Sequence, residues 1–200
     1  MKTNTFISNY CVIKNDEIYL NGKKTFSAEG VPFSEFIKLS YKNYKIDYPK
    51  FFKMDNLSKL SFIAAEILIK GESNQDVALV FANNSSSLDT DIKYQNSISN
   101  KEEYFPSPAV FVYTLPNICI GEISIRHKLE SENAFFVFDT FNAEFLSNYS
   151  SILIESGKAK KVLCGWVEYL NGNYNAALYL IEEEGSLKNN EQTINKIYNQ

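Results

Sequence analysis

Apolar positions along this chain fall into two kinds of run that alternate with each other. Continuous runs occur at Val77–Ala82 (VALVFA), Ala134–Phe138 (AFFVF), Val162–Val167 (VLCGWV) and Ala176–Ile181 (AALYLI). Such runs predict buried strands. Between them the spacing changes. Leu57, Leu60, Ala64, Ile67 and Leu68 recur every three or four residues, behind Asp55 and before Gly71. That spacing predicts a helix with an acidic cap and a glycine stop. Phe145, Tyr149, Ile152 and Leu153 repeat the pattern, closed by Gly157. Leu115–Leu129 reads as a helix after Pro116, with Arg126-His127-Lys128 at the negative end of its dipole. Shorter helices are expected over Ser34–Asn43 and from Ser87 or Asp89 to about Ser97. At the start, Tyr10–Ile13 and Ile18–Leu20 are broken by Asn15-Asp16 and Asn21-Gly22, which predicts a strand or hairpin within Thr5–Phe26. Asn171-Gly172-Asn173 separates the last two apolar runs and predicts an antiparallel hairpin.

Strands alternating with helices and ending in a hairpin make an α/β domain, a mixed sheet with flanking helices. The chain shows no internal repeat and no linker. It is read as a single domain over residues 1–182. Residues 183–200 are read as a polar acidic tail, with a weak helix near Ile194.

Composition narrows the function. The chain is 44% hydrophobic, with 15 Phe and 13 Tyr, enough to fill a sizeable core. The formal charge is −4, and Arg126 is the only arginine among 20 basic residues. Nothing here suits nucleic acid or an anionic membrane surface. Cys11, Cys119 and Cys164 form no CxxC pair and are read as free thiols of a reducing compartment. No signal-length apolar run opens the chain, and no stretch nears ~20 apolar residues. The expectation is a cytoplasmic protein without a membrane span.

Candidate chemistry is sparse. His127 is the only His, sits at a basic helix end and is read as solvated. No HExxH, Cys cluster or Asp-rich loop suggests a metal. The eight glycines form no phosphate loop, so no cofactor is expected. Ser85-Ser86-Ser87 reads as a polar loop and helix cap. One place has the architecture of a nucleophile site: the strand 134–138 runs through Asp139-Thr140-Phe141-Asn142 into a helix. A Cys at the positive end of a helix has a lowered pKa. This turn offers Thr140 instead. A Thr hydroxyl needs a base, and the only His lies elsewhere.

Four stretches then carry a family resemblance. Lys50–Leu68 has Met54-Asp55 followed by an Ala64-Ala65 helix. Val77–Thr90 (VALVFANNSSSLDT) is a strand entering a loop of small residues. Ser107–Leu129 (SPAVFVYTLPNICIGEISIRHKL) has Ser-Pro, Pro-Asn, Gly and Ile-Arg in order. Gly157–Glu168 (GKAKKVLCGWVE) completes the set. In this order and spacing they resemble the N-terminal half of β-ketoacyl synthases, the condensing enzymes of the thiolase fold. The resemblance puts Thr140 at the position of the family's nucleophilic Cys. The His pair, or His and Asn, that the family's second half supplies has no counterpart in these residues.

The resemblance therefore implies no catalytic residue, and condensation by this chain alone is not expected. It implies the role of a chain-length factor: a subunit without the nucleophile that pairs with a full-length ketosynthase, or self-associates. Acyl carrier protein would be met through that complex. The setting would be polyketide, aryl-polyene or flexirubin-type pigment, or fatty-acid-like biosynthesis. Family dimers join through the strand before the nucleophile, which makes Phe135, Phe136 and Phe138 the subunit-interface candidates. The plainer reading of that strand is an ordinary central one. The segment before the Pro-Asn helix would close the partner's acyl tunnel, with Val110, Phe111 and Tyr113 as tunnel-end candidates. Their plainer reading is core filling. Two further readings stay open: a free-standing module binding an acyl group or acyl carrier protein, and an acyltransferase or hydrolase using Thr140.

Overall fold

The computed structural model describes residues 4–71, 76–102 and 104–200. Residues 6–27 make three strands: β1 (Phe6–Lys14), β2 (Glu17–Leu20) and β3 (Lys23–Ser27). Asn15, Asp16 and Asn21 adopt positive φ at the two turns, where Asn, Asp and Gly are tolerated. The single strand or hairpin expected there is thus a three-stranded meander. Next come α1 (Phe33–Asn43), a 3₁₀ segment (Pro49–Lys53), α2 (Asn56–Ile69) and β4 (Val77–Asn83). They are followed by α3 (Leu88–Ser99), a short helix α4 (Pro108–Phe111), a 3₁₀ turn (Val112–Thr114) and α5 (Ile118–His127). Last come β5 (Asn133–Val137), α6 (Ala143–Glu155), β6 (Lys161–Leu170), β7 (Asn173–Glu182), β8 (Leu187–Lys188) and α7 (Glu191–Tyr198).

The strands form one eight-stranded mixed sheet in the order β3-β2-β1-β7-β6-β4-β5, with β8 pairing β1. β4 runs parallel to both β5 and β6. β7 is antiparallel to β6 and β1, and β2 is antiparallel to β1 and β3. Hydrophobic cores lie on both faces. One is built from α1, α2 and α5, with Phe36, Phe51, Phe62 and Ile63 fully buried. The other lies under α6 and α7, with Leu146, Trp166, Tyr179 and Ile194. β6 and β7 approach so closely at Gly165 that a Cβ there would lie 2.0 Å from the Ala177 carbonyl oxygen. No larger residue fits that position.

α2 starts as its sequence predicts. The Asp55 carboxylate accepts from the Ser58 backbone N–H at 2.9 Å and from the Thr90 hydroxyl at 2.9 Å. The cap thereby ties α2 to α3. Asp55→Ala is expected to cost about 1 kcal/mol, as lost helix caps do, measured by urea denaturation.

Two expectations change in the folded chain. β5 is not a central strand: it ends the sheet, and β4 is its partner. The segment expected as a tail folds back, because β8 pairs β1 and α7 buries Ile194 and Ile197 in the second core. The helix expected after Pro116 within Leu115–Leu129 is α5, with Arg126 and His127 in its last turn and Lys128 closing it in the left-handed region at φ 56. Among the described residues, no single helix is long and apolar enough to cross a membrane.

Candidate functional site

β4, β5 and β6 run in one direction, so their carboxyl ends meet at one side of the sheet. In open α/β sheets that is the side where ligands bind. β4 ends at Asn83, whose side chain folds the next turn: Nδ2 donates to the Ser86 carbonyl at 2.8 Å, and Oδ1 accepts from the Ser86 N–H at 2.9 Å. Glu168, near the end of β6, holds the same loop. Its carboxylate accepts from the Asn84 N–H at 2.7 Å, the Ser85 N–H at 3.2 Å and the Ser85 hydroxyl. Asn84 Nδ2 then donates to the carbonyls of Phe138 at 3.1 Å and Asp139 at 3.0 Å. Two side chains therefore tie three strand ends together.

Past β5 the chain makes the strand-to-helix turn the sequence predicts. Asn142 caps α6, its Oδ1 accepting from the Phe145 N–H at 2.9 Å. Thr140 is exposed in this turn and lines a cleft of about 760 Å³. Phe141, Trp166 and Tyr198 form an aromatic wall of the cleft. The Phe141 and Tyr198 rings stack at 3.9 Å and 11°, with Trp166 edge-on to Phe141 at 5.7 Å. Asp139 and Glu168 are the charged residues of its lining. No His and no Cys takes part. Among the described residues, no three His, Cys, Asp or Glu side chains group to hold a metal ion.

The cysteines lie inside the fold: Cys11 in β1, Cys119 in α5 and Cys164 in β6, all free and buried. Burial pushes the Cys164 thiol up to about 12 and raises Cys11 and Cys119 further. That is the wrong direction for a nucleophile. A thiol reagent is expected to find essentially no reactive Cys in the native protein and all three after denaturation.

His127 does not sit in solvent. Its side chain is 13% exposed, with Nε2 3.3 Å from Glu66 Oε1. The same oxygen accepts from Arg126 Nε at 2.6 Å. Glu66 itself is 1% exposed on α2, and a buried carboxylate needs hydrogen-bond donors around it.

The tunnel-end candidates separate. Tyr113 is buried, its hydroxyl donating to Glu122 Oε1 at 2.9 Å while Lys50 pairs with the other oxygen at 2.8 Å. Burial, then the adjoining carboxylate, raises the Tyr113 phenol. Phe111 points outward and leans on Tyr94, rings 5.2 Å apart, and Val110 is half-buried. Beside them Phe105, Val112 and Leu115 are exposed, 76% in the case of Phe105. The interface candidates are all half-buried. Phe135 packs toward the α2–α5 core, whereas Phe136 and Phe138 cluster with Phe145 and Tyr149 under α6. The exposed residues of β5 are Asn133 and Val137, the latter 53% exposed.

Several site residues escape a reading of the sequence: Asn84, Glu168 and the whole contribution of α7. α7 did leave a signal. Ile194, Ile197 and Tyr198 stand three and four apart behind Asn190, whose Oδ1 accepts from the Thr193 N–H at 2.9 Å. Glu168 left none, since its role depends on a loop 80 or so residues away.

No family profile matches the chain, and no curated protein matches it. Solved structures do. The ishigamide ketosynthase/chain length factor matches with a TM-score of 0.66 and 15% identity, over 90% of this chain and 62% of its own length. The assembly AntDE:AntF, a type II PKS acyl-carrier protein in complex with its ketosynthase bound to the hexaketide, gives 0.61 and 15%, over 92% of this chain and 64% of its own. The ketosynthase (ApeO) in complex with its chain length factor (ApeC) from Xenorhabdus doucetiae gives 0.64 and 13%, over 98% and 90%. The chain thus spans just under two-thirds of the first two and most of the third. These likenesses establish the fold: the mixed α/β thiolase architecture of ketosynthases and chain length factors.

Proposed function

We propose that this chain is a non-catalytic ketosynthase-like subunit that pairs with an active ketosynthase and shapes its acyl tunnel, as a chain-length factor does, in polyketide, aryl-polyene or flexirubin-type pigment, or fatty-acid-like biosynthesis. The observation that carries this reading is the outer edge of β5, which pairs with no other strand among the described residues. An apolar strand ending a sheet is a template for another chain. Val137 on this strand is exposed, and on the α3–α5 side of the molecule Phe105, Phe111, Val112 and Leu115 are exposed as well, apolar side chains of the kind a lasting interface covers. Two of the similar structures described above pair a ketosynthase with a chain length factor. Thr140, in place of a Cys at the helix-facing turn, supports a subunit without condensing activity, with acyl carrier protein reached through the partner.

The test is co-expression with a full-length ketosynthase, followed by size-exclusion chromatography with mass detection. A 1:1 complex, with the chain poorly soluble alone, supports the proposal. Two separate species with a stable, well-behaved chain favour the other reading, a free-standing acyl or carrier-protein module, for which the 760 Å³ cleft provides room. Within a complex, Val110→Ala and Phe111→Ala are expected to lengthen products by removing bulk at the tunnel end. Tyr113→Ala, which strips Glu122 of a donor, should mainly lower stability, by about 1–3 kcal/mol. Unchanged product lengths in the first two would count against the gating role.

A further inference from the structure

We infer that the cleft beside Thr140 is a binding site for an uncharged aryl group of the phenol type, seated against the Phe141–Trp166–Tyr198 wall. Three observations converge. The first is shape and surface. The cleft, about 760 Å³, falls in the range of small-molecule sites, and its apolar wall is mainly aromatic. A phenol ring already lies flat in it, since Tyr198 stacks on Phe141 at 3.9 Å. Offset stacking and edge contacts favour a planar ring over an aliphatic chain of equal size.

The second is charge. Asp139 and Glu168 are acidic, and no Lys or Arg joins the lining. Glu168 is committed to the Asn84–Ser85 loop. An anionic ligand would meet two carboxylates and no counter-ion, whereas a neutral hydroxyl meets a rim of amides from Asn84, Asn171, Asn195 and Asn199. The third is an orphaned acceptor. Asn175 lines the same cleft, and its Oδ1 is buried without a hydrogen-bond partner. Such a group is costly to leave unpaired, and a turn of the Asn175 amide into the cleft would let a ligand hydroxyl satisfy it.

Trp166 is the only Trp in the chain, so its emission reports on this cleft alone. The experiment titrates p-cresol into the purified protein, with Trp166 emission and saturation-transfer NMR as readouts. Expected is saturable p-cresol binding, at least about tenfold tighter than that of 1-hexanol or of anionic 4-hydroxybenzoate, a gap of about 1.4 kcal/mol. Thr140→Phe fills the mouth of the cleft from an exposed turn and is expected to abolish binding without disturbing the core. Equal binding of 1-hexanol, or undiminished binding in Thr140→Phe, overturns the inference, as does no binding at all. The titration is made on the chain alone and in complex. A chain that binds p-cresol but pairs with no ketosynthase sinks the subunit reading and leaves this one standing.

Discussion

Glu66→Ala is expected to destabilise the protein by about 3–5 kcal/mol, the usual result of removing one member of a buried ion pair. Glu66 sits on α2 with 1% of its surface exposed. Arg126 reaches it from α5 at 2.6 Å and lies over the Tyr48 ring at 5.1 Å. Without the carboxylate, Arg126 and His127, adjacent in the last turn of α5, lose the acceptor they share on α2. Burial by itself would raise the Glu66 carboxyl, but the neighbouring His127 and Arg126 outweigh it and hold the group below its ordinary value. The sign of the pH effect follows. A carboxyl lowered on folding contributes stability above the ordinary carboxylate range, and that contribution disappears as pH falls through the depressed value. Urea denaturation at a series of pH values should show a steeper acid loss in the native protein than in Glu66→Gln. Parallel acid limbs, or a loss under about 1 kcal/mol in Glu66→Ala, would remove the pair from the list of stabilising contacts.

The second large effect concerns assembly. Val137→Asp is expected to weaken a complex formed through β5 by more than about a hundredfold, since an unpaired carboxylate buried at an interface costs several kcal/mol. The substitution is mild for the chain itself, because Val137 is already 53% exposed. Circular dichroism should therefore be unchanged while the heavier species is lost from size-exclusion profiles. A complex that survives Val137→Asp would place the contact elsewhere on the molecule.

Much of the architecture is legible in local pattern. β4, α2 with its Asp55 cap, the β6–β7 hairpin at Asn171–Asn173 and the turn into α6 all stand where periodicity and turn residues place them. These elements have strong local signals. What local pattern cannot report is who lies beside whom. Ala134–Phe138 has the continuous apolar run of a central strand, yet β5 ends the sheet; its rings are covered by α6 and the α5 side, and its edge is not. Residues 183–200 are polar enough to read as solvent-facing, and two buried isoleucines, Ile194 and Ile197, with Tyr198 packed beside them sufficed to dock α7. His127 looked solvated because its partner, Glu66, is 61 positions away. The turn holding Thr140 was legible, but the cleft around it draws Glu168 and Tyr198 from later in the chain, which no short window contains.

The two ends of the sheet are guarded differently, and this sets a limit on size. β3 carries exposed Lys23 and Lys24, the latter paired with Glu17, and edge lysines discourage further pairing. β5 carries no charge at all. A sheet that can grow in one direction only cannot polymerise. Joined through β5 to a partner, the chain uses up its open edge and presents its lysine-lined border to the solution. Growth along the strand-pairing direction then stops at a pair, and fibre formation by that route is closed off.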